Sequence, residues 1–167
     1  MQSIRFTAPW SRQLKWLTAL VAILLLGLPL MLLNRAPQTG SVLFAISIWL
    51  PPAILLLGAL FAIRGYAIQG QTLQVLRPAW TTRIDLGDLQ SAEAKAEAMR
   101  GSIRIFGNGG LFGFIGLFRN DTLGRYRAFA TDSANCVVLR FPARTIVVTP
   151  DRPEQFVAAI RQAVPPR

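Results

Sequence analysis

The sequence predicts two transmembrane α-helices followed by an all-β domain that a C-terminal α-helix caps. Three observations predict this fold class. The N-terminal part contains two long apolar runs, the middle of the chain alternates short apolar stretches with Gly, Pro, Asn and Asp, and the end of the chain has a helical pattern of apolar residues. Short stretches broken in this way are typical of strands joined by turns.

Each apolar run is long enough to cross a membrane. Residues 16–33 carry no charge over eighteen positions, and residues 41–63 carry none over twenty-three. A helix needs about 20 apolar residues to cross a hydrocarbon core of roughly 30 Å. We therefore predict an N-terminal anchor over residues 1–63, with helices at about 14–33 and 41–63, and a separate domain over residues 64–167.

Two other interpretations of the apolar runs fit the sequence less well. A signal peptide would need a shorter apolar region and a small-residue cleavage site, which NRAPQTG at residues 34–40 does not provide. A soluble chain of 167 residues has little room to bury two helices that are apolar on every face.

Basic residues beside the apolar runs predict their orientation. Arg5, Arg12 and Lys15 precede the first run and Arg64 follows the second, whereas only Arg35 lies between them. Lys and Arg are enriched on the cytoplasmic side of spanning segments. We expect a multi-pass protein of the bacterial cytoplasmic (inner) membrane, with both termini in the cytoplasm and the connecting loop outside.

Seven stretches after residue 64 have the β-branched and aromatic content of strands. They are GYAI, TLQVL, TTRIDL, SIRIF, YRAFAT, CVVLRF and TIVVT. The segment SAEAKAEAM at residues 91–99 is ambiguous, because its residues favour helix while alanine and charge alternate as in a strand. We interpret it as a strand followed by a loop, with a helix as the alternative.

The end of the chain predicts an amphipathic helix that covers the β-structure. Asp151 has the position of an N-cap, Pro153 that of the first turn and Glu154 that of a capping box. One apolar face then follows at helical spacing, formed by Phe156, Ala159, Ile160 and Ala163.

Three stretches resemble a bacterial pleckstrin-homology (PH) domain of small membrane proteins. They are FGNGGLFGFIGLF at 106–118, Tyr126 with Phe129 in GRYRAFAT, and TIVVTPDRPEQFVAAIRQ at 145–162, where a strand passes through Thr-Pro-Asp into the last helix. The resemblance covers residues 64–164. It implies a bent PH-like β-sandwich or split barrel, capped by the helix and without known catalytic activity.

The sequence offers no catalytic or metal-binding constellation. It has no histidine, which excludes Ser-His-Asp and Cys-His arrangements and imidazole metal ligands. The close carboxylate pairs, Asp85 with Asp88 and Glu93 with Glu97, lie in polar segments and are interpreted as surface residues. We expect no enzyme activity, no catalytic residue, no metal and no cofactor.

The glycine-rich stretch at residues 107–116 does not match a phosphate-binding loop. A G-x-G-x-x-G motif would need a third glycine where Phe112 stands, and no helix follows. We interpret the glycines as structural loop residues that permit sharp turns. They are Gly107, Gly109, Gly110, Gly113 and Gly116.

The same stretch contains a candidate interaction surface. Read as extended chain, it places Phe112, Phe114 and Phe118 on one face. We hypothesise that this face meets the membrane or a partner, since exposed aromatic patches mark interaction sites. The alternative, that the stretch folds back and fills its own core, stays open.

Charge indicates a partner but does not identify it. RYRAF resembles part of a phosphoinositide-binding motif, yet it lies late in the domain, and Arg125 and Arg127 fit a solvent-facing strand better. From Arg64 onward 14 basic residues stand against 8 acidic ones, a surplus that an anionic leaflet would attract. Without a clustered basic stripe, we expect no nucleic-acid binding.

These observations predict a membrane-anchored, non-catalytic PH-like interaction module at the cytoplasmic face. We expect it to bind a protein partner or to self-associate as a homo-oligomer. The alternative is a domain that senses anionic lipid at the inner leaflet.

Overall fold

The computed structural model describes residues 3–34 and 41–164. Within them the chain forms ten strands and three α-helices, in the order β1 (Ile4–Thr7), α1 (Arg12–Leu33), α2 (Val42–Leu60), β2 (Gly65–Gln69), β3 (Thr72–Leu76), β4 (Thr81–Asp85), β5 (Ser91–Ala94), β6 (Ile103–Gly109), β7 (Phe114–Asn120), β8 (Gly124–Ala130), β9 (Val137–Arg140), β10 (Thr145–Val148) and α3 (Pro153–Ala163). Two apolar helices, a two-sheet β-structure and a C-terminal helix confirm the predicted fold class.

The helices α1 and α2 pack against each other and carry mostly exposed apolar side chains. By length and composition, both are able to cross a membrane. Every residue of α2 is exposed or half-buried, as expected of a helix that faces lipid rather than a protein core. The predicted helix at 41–63 ends earlier, at Leu60. Most of the connecting loop, including Arg35, lies outside the described residues.

The first sheet has the strand order β1-β2-β3-β4 and is antiparallel throughout. Its first strand comes from the segment before α1, with Ile4 opposite Ile68 and Thr7 opposite Gly65. The sequence did not predict this strand, and the division at residue 64 assigned it to the anchor. The structure instead joins it to the domain that follows α2, so both ends of the helix pair meet in one sheet.

Asp151 has a different role from the predicted helix cap. The N-cap of α3 is Arg152, and no side chain caps the helix there. The Asp151 carboxylate accepts a hydrogen bond from the Thr7 backbone N–H at 3.2 Å, and the Asp151 N–H donates to the Thr7 carbonyl at 3.0 Å. This reciprocal pair holds the end of β1, which is why the carboxylate is not available to the helix.

The second sheet has the order β5-β9-β10-β8-β7-β6. Strands β8 and β10 are parallel, and the other neighbours are antiparallel. Strand β5 agrees with the interpretation of residues 91–99 as a strand followed by a loop, since turns occupy residues 96–101.

Strand β7 was not predicted, because its glycines were interpreted as loop residues. Only Gly110 and Gly113 lie in the turn between β6 and β7, whereas Gly107 and Gly109 belong to β6 and Gly116 to β7. Gly107 stands opposite Gly116, and a Cβ at Gly116 would collide with the Phe106 carbonyl oxygen. Gly107 and Gly116 therefore permit close approach of two backbones rather than a reversal of the chain.

The main core lies between the two sheets and α3. Phe156 is fully buried, and its ring makes edge contacts with the rings of Phe6 at 5.1 Å and Tyr66 at 6.0 Å between centroids. Ala159 and Ile160 are buried beside it, and Ala163 packs against the same core, as the helical pattern predicted. A smaller second core on the opposite face of the second sheet includes Phe118, Tyr126, Ala128, Val138 and Val147.

A buried polar network fixes the segment between β1 and α1. The Tyr66 hydroxyl donates to the Phe129 carbonyl at 2.6 Å and accepts from the Thr149 N–H at 3.1 Å. Burial raises the pKa of Tyr66 to about 12, which keeps the hydroxyl neutral and able to donate. Beside it, Thr131 donates to the Pro9 carbonyl at 2.7 Å and its own carbonyl accepts from the Ser11 N–H at 3.1 Å. The start of α1 is thus tied to the domain.

Candidate functional site

The turn between β6 and β7 docks onto the beginning of α1. Thr18 Oγ1 donates to the Gly110 carbonyl at 3.3 Å and accepts from the Phe112 N–H at 3.2 Å. Within the turn, the Asn108 side chain accepts from the Leu111 N–H at 3.0 Å and donates to the Leu111 carbonyl. The polar groups of the glycine-rich stretch are therefore used to shape the turn and to attach it to α1.

The three phenylalanines do not form one exposed face. Phe118 is only 4% exposed and stacks on Tyr126, and Phe114 is half-buried against the same second core. Phe112 has a φ of 62° and packs its ring 6.0 Å from that of Trp10. The chain turns at Phe112 instead of staying extended, so the predicted alternation fails there. This placement disagrees with the hypothesised surface and agrees with the alternative, that the stretch fills its own core.

Exposed apolar side chains are instead found on the neighbouring strand, β6. Ile103 is 74% exposed, Ile105 47% and Phe106 79%. The strand is the last in the second sheet, and its register is irregular between Arg104 and Phe106. The sequence indicated a strand here, but strand content alone does not reveal which strand lies at the edge of a sheet.

A cavity of about 520 Å³ lies between the end of α2 and the β6–β7 hairpin. Gly58 and Phe61 contribute the helix side of its lining, and Phe106 and Leu117 contribute the sheet side. Two arginines, Arg77 and Arg127, also line it, and none of the described lining residues is acidic. We call this space the arginine cavity.

Arg77 and Arg127 lie beside aromatic rings. The Arg77 guanidinium carbon is 5.8 Å from the ring centroid of Phe61, 5.5 Å from that of Trp80 and 5.6 Å from that of Phe129. Arg127 is 5.2 Å from the same Phe129 ring. Rings at these distances attract a guanidinium through their negative faces.

The environment of Arg77 disfavours its positive charge. Burial lowers the pKa of Arg77, and the nearby charge of Arg127 lowers it further. Its Nε atom is buried and has no hydrogen-bond partner among the described residues. Neither arginine forms an ion pair within the part of the chain that the structure describes. An anion in the cavity would relieve both conditions.

Two other cavities differ from the arginine cavity in charge. One of about 820 Å³ lies between the β4–β5 loop and the end of α3 and includes Asp88 and Arg161. The other, of about 600 Å³, lies beside the second core and includes Glu97 with Arg100 and Arg104. In each of them the basic residues share the space with a carboxylate.

The other predicted site residues lie near the domain end of the helices. Arg12 is the first residue of α1, Lys15 follows one turn later and Arg64 links α2 to β2, and all three side chains are exposed. Arg127 was expected on a solvent-facing strand, and it is exposed. Arg77 was not singled out by the sequence analysis. Its closeness to Arg127 arises only from the packing of the two sheets.

Among the described residues, no group of three His, Cys, Asp or Glu side chains is arranged to hold a metal ion. The free cysteine, Cys136, is buried. Burial raises the pKa of its thiol to about 11, which opposes formation of the reactive thiolate.

Two packed β-sheets closed by a C-terminal helix define a PH-like domain, a class of interaction modules. The family profile described as bacterial PH domain matches residues 64–164. The chain belongs to this family, as the resemblance in its sequence indicated. Comparison with curated proteins and with solved structures gave no match.

Proposed function

We propose that this protein is a non-catalytic interaction module, anchored in the bacterial inner membrane by α1 and α2, that binds an extended segment of a protein partner along β6. Both termini and the domain lie in the cytoplasm. Clustering of Arg12, Lys15 and Arg64 at the domain end of the helices supports this orientation.

The observation that carries the proposal is the apolar edge of the second sheet. An edge strand presents unpaired N–H and C=O groups to which an extended peptide adds as a further strand. On β6, the exposed side chains of Ile103, Ile105 and Phe106 would supply apolar contacts beside those hydrogen bonds. Several large exposed apolar residues on one strand favour a docking surface over a solvent-facing edge.

The edges at β4 and β5 lack this character. The exposed residues of β4 are Thr81, Arg83 and Asp85, and those of β5 are Ser91 and Glu93. Charged and polar side chains at an edge discourage pairing with another chain. Only β6 combines the last position in its sheet with this many exposed large apolar side chains among the described strands.

A non-catalytic role is supported by the side chains that the chain offers. The sequence has no histidine, and burial keeps the Cys136 thiol protonated at neutral pH. The large exposed side chains of β6 are apolar or arginine, namely Ile103, Arg104, Ile105 and Phe106. They suit binding and supply no general base.

Site-specific photocrosslinking of the full chain in cells tests the proposal. A crosslinking residue at position 103 should trap a discrete protein partner, and the adduct should disappear when Phe106→Asp is introduced into the same chain. The matched control is the same crosslinker at Thr81, an exposed position on the polar β4 edge, where no adduct is expected.

Three outcomes would contradict this proposal. Equal adducts at positions 103 and 81 would mean unspecific contact, and the absence of an adduct at 103 would mean that β6 is not a docking edge. An adduct of twice the chain mass, containing only this protein, would replace the partner with a second copy.

A further inference from the structure

We infer that the arginine cavity binds the phosphate of an anionic phospholipid from the leaflet next to the domain, through Arg77 and Arg127. This inference rests on the proposed membrane crossing of α1 and α2, but it does not depend on a partner at β6. The two sites share Phe106, Gly107 and Asn108 of β6, but both arginines of the cavity lie outside that strand.

With α2 crossing the membrane as proposed, the cavity would lie at the depth of the lipid headgroups. Its helix side is formed by Gly58 and Phe61, at the point where the apolar run of α2 ends and the chain continues into β2. Phe61 makes an edge contact with Trp80 at 4.8 Å between ring centroids. Tryptophan, the residue type of Trp80, is enriched at the interface between hydrocarbon and water. A headgroup beside α2 would therefore lie level with the cavity.

The charges of the cavity select an anion. Arg77 and Arg127 approach the Phe129 ring to 5.6 and 5.2 Å, which brings two like charges into one space without a carboxylate. The burial of Arg77 lowers its pKa, and repulsion by Arg127 lowers it further. A phosphate between them would neutralise the repulsion and accept hydrogen bonds in the fork geometry that arginine presents.

An unused donor points to the same occupant. The Arg77 Nε–H is buried without a partner among the described residues, and such a group carries a desolvation cost until it is satisfied. The Asn108 side chain also lines the cavity, but it is already engaged with Leu111. The free hydrogen-bonding capacity of the cavity is thus mainly that of the two arginines.

The remaining lining favours a lipid over a soluble phosphate. Ile115 and Leu117 from β7, together with Phe61 and Phe106, give the cavity an apolar wall. Its volume of about 520 Å³ exceeds the needs of a bare phosphate and leaves room for the glycerol and the first acyl carbons.

The test uses the full chain purified in mild detergent. Native mass spectrometry counts the lipids retained when phosphatidylglycerol or phosphatidylcholine with identical acyl chains is added. We expect one phosphatidylglycerol to be retained at concentrations where phosphatidylcholine is lost. Arg77→Gln and Arg127→Gln should each weaken its retention about tenfold, as for loss of one charge-assisted hydrogen bond.

Arg83→Gln is the matched control, since it removes the same charge from an exposed position on β4 outside the cavity and should leave retention unchanged. Arg127 is exposed, so Arg127→Gln keeps the test valid if Arg77→Gln unfolds the chain. Ile103→Lys, which would abolish partner binding at β6, should also leave lipid retention unchanged. Failure at β6 and failure in the cavity are therefore separate results.

Four results would overturn the inference. They are equal retention of the two lipids, unchanged retention in Arg127→Gln, an equal loss in Arg83→Gln, and displacement of phosphatidylglycerol by the same concentration of inorganic phosphate. The last would make the ligand a soluble phosphate. If a protein partner occupied the cavity in place of lipid, neither lipid would be retained, which is a case of the first result.

Discussion

Individual side chains connect parts of this molecule that are far apart in sequence. Phe156 of α3 contacts Phe6 of β1 and Tyr66 of β2, so one ring joins the C-terminal helix to the strands on either side of the helix pair. Tyr66 and Thr131 both hydrogen-bond to the Thr149 hydroxyl, and Thr131 extends the connection to the Pro9 carbonyl. Removing one of these side chains therefore removes contacts of several elements at once.

Replacing Phe156 with alanine should lower the free energy of unfolding by about 3 to 5 kcal/mol, because the ring is fully buried and its removal leaves a cavity. Chemical denaturation of the full chain in detergent measures the loss. Gln155→Ala, on the exposed side of α3, should change stability little. If both variants unfold at the same denaturant concentration, α3 does not pack in the core as described.

Cys136 should react slowly with thiol reagents in the folded protein. Its side chain is buried, and burial raises the pKa of the thiol to about 11, so both access and thiolate content are low at pH 8. Alkylation by iodoacetamide at pH 8, followed by intact mass, should be minor in the native state and complete in denaturant. Rapid native labelling would show that the second core opens readily.

At the scale of elements, the β6–β7 hairpin links the sheet to the helices. The Thr18 hydroxyl of α1 donates a hydrogen bond to the Gly110 carbonyl of its turn and accepts one from the Phe112 N–H. Gly110 has a φ of 142°, and a Cβ there would collide with the Leu17 side chain. The turn thus fits against α1 only if this residue has no side chain.

Gly110→Ala should destabilise the full chain by about 1 to 3 kcal/mol, because alanine is strained at this φ and approaches Leu17. Gly101→Ala is the control, since Gly101 also has a positive φ, of 69°, but faces open space. The thermal unfolding temperature of Gly110→Ala should be lower than that of Gly101→Ala. A double variant with Gly110→Ala and Leu17→Ala should recover part of the loss. The reverse order would mean that the turn does not lie on α1.

Sequence patterns predicted the elements whose signals are local. The apolar runs, α3 and most strands depend on hydropathy and spacing within a few residues, and they lie where they were expected. Strand β7 was missed because Gly116 looks like a turn residue until Gly107 is known to stand opposite it. The hypothesis of a phenylalanine face assumed an extended chain, whereas the chain reverses at Phe112 and places Phe114 and Phe118 at the second core.

At the scale of the whole molecule, β1 and β2 are paired in the first sheet although the two helices separate them in sequence. The four residues of β1 carry a weak strand signal, and their partner lies beyond α2. The arginine cavity also joins residues that are distant in sequence, because Arg77 and Arg127 are fifty positions apart. Contacts of this kind depend on the packing of elements, which hydropathy patterns do not encode.

The orientation of the helix pair can be tested with reporter fusions. A fusion after residue 167 should report a cytoplasmic location and one at residue 38 a periplasmic location, because Arg12, Lys15 and Arg64 flank the domain end. Pairing of β1 with β2 also requires an N-terminal fusion to agree with the C-terminal one. A periplasmic C-terminus would move the domain and the proposed lipid site to the outer leaflet.

The pairing of β1 with β2 also makes completion of the domain depend on correct insertion of the two helices. The residues of β1 precede both helices in the chain, and those of β2 follow them. If the helices cross the membrane as proposed, β1 and β2 can pair only when both crossings have returned the chain to its starting side. A chain that inserted a single helix would leave β1 and β2 on opposite sides of the bilayer, with an unpaired sheet edge. Only a hairpin with both helices inserted lets β1 cover β2, so the two products differ in whether the backbone of β2 is paired on that side.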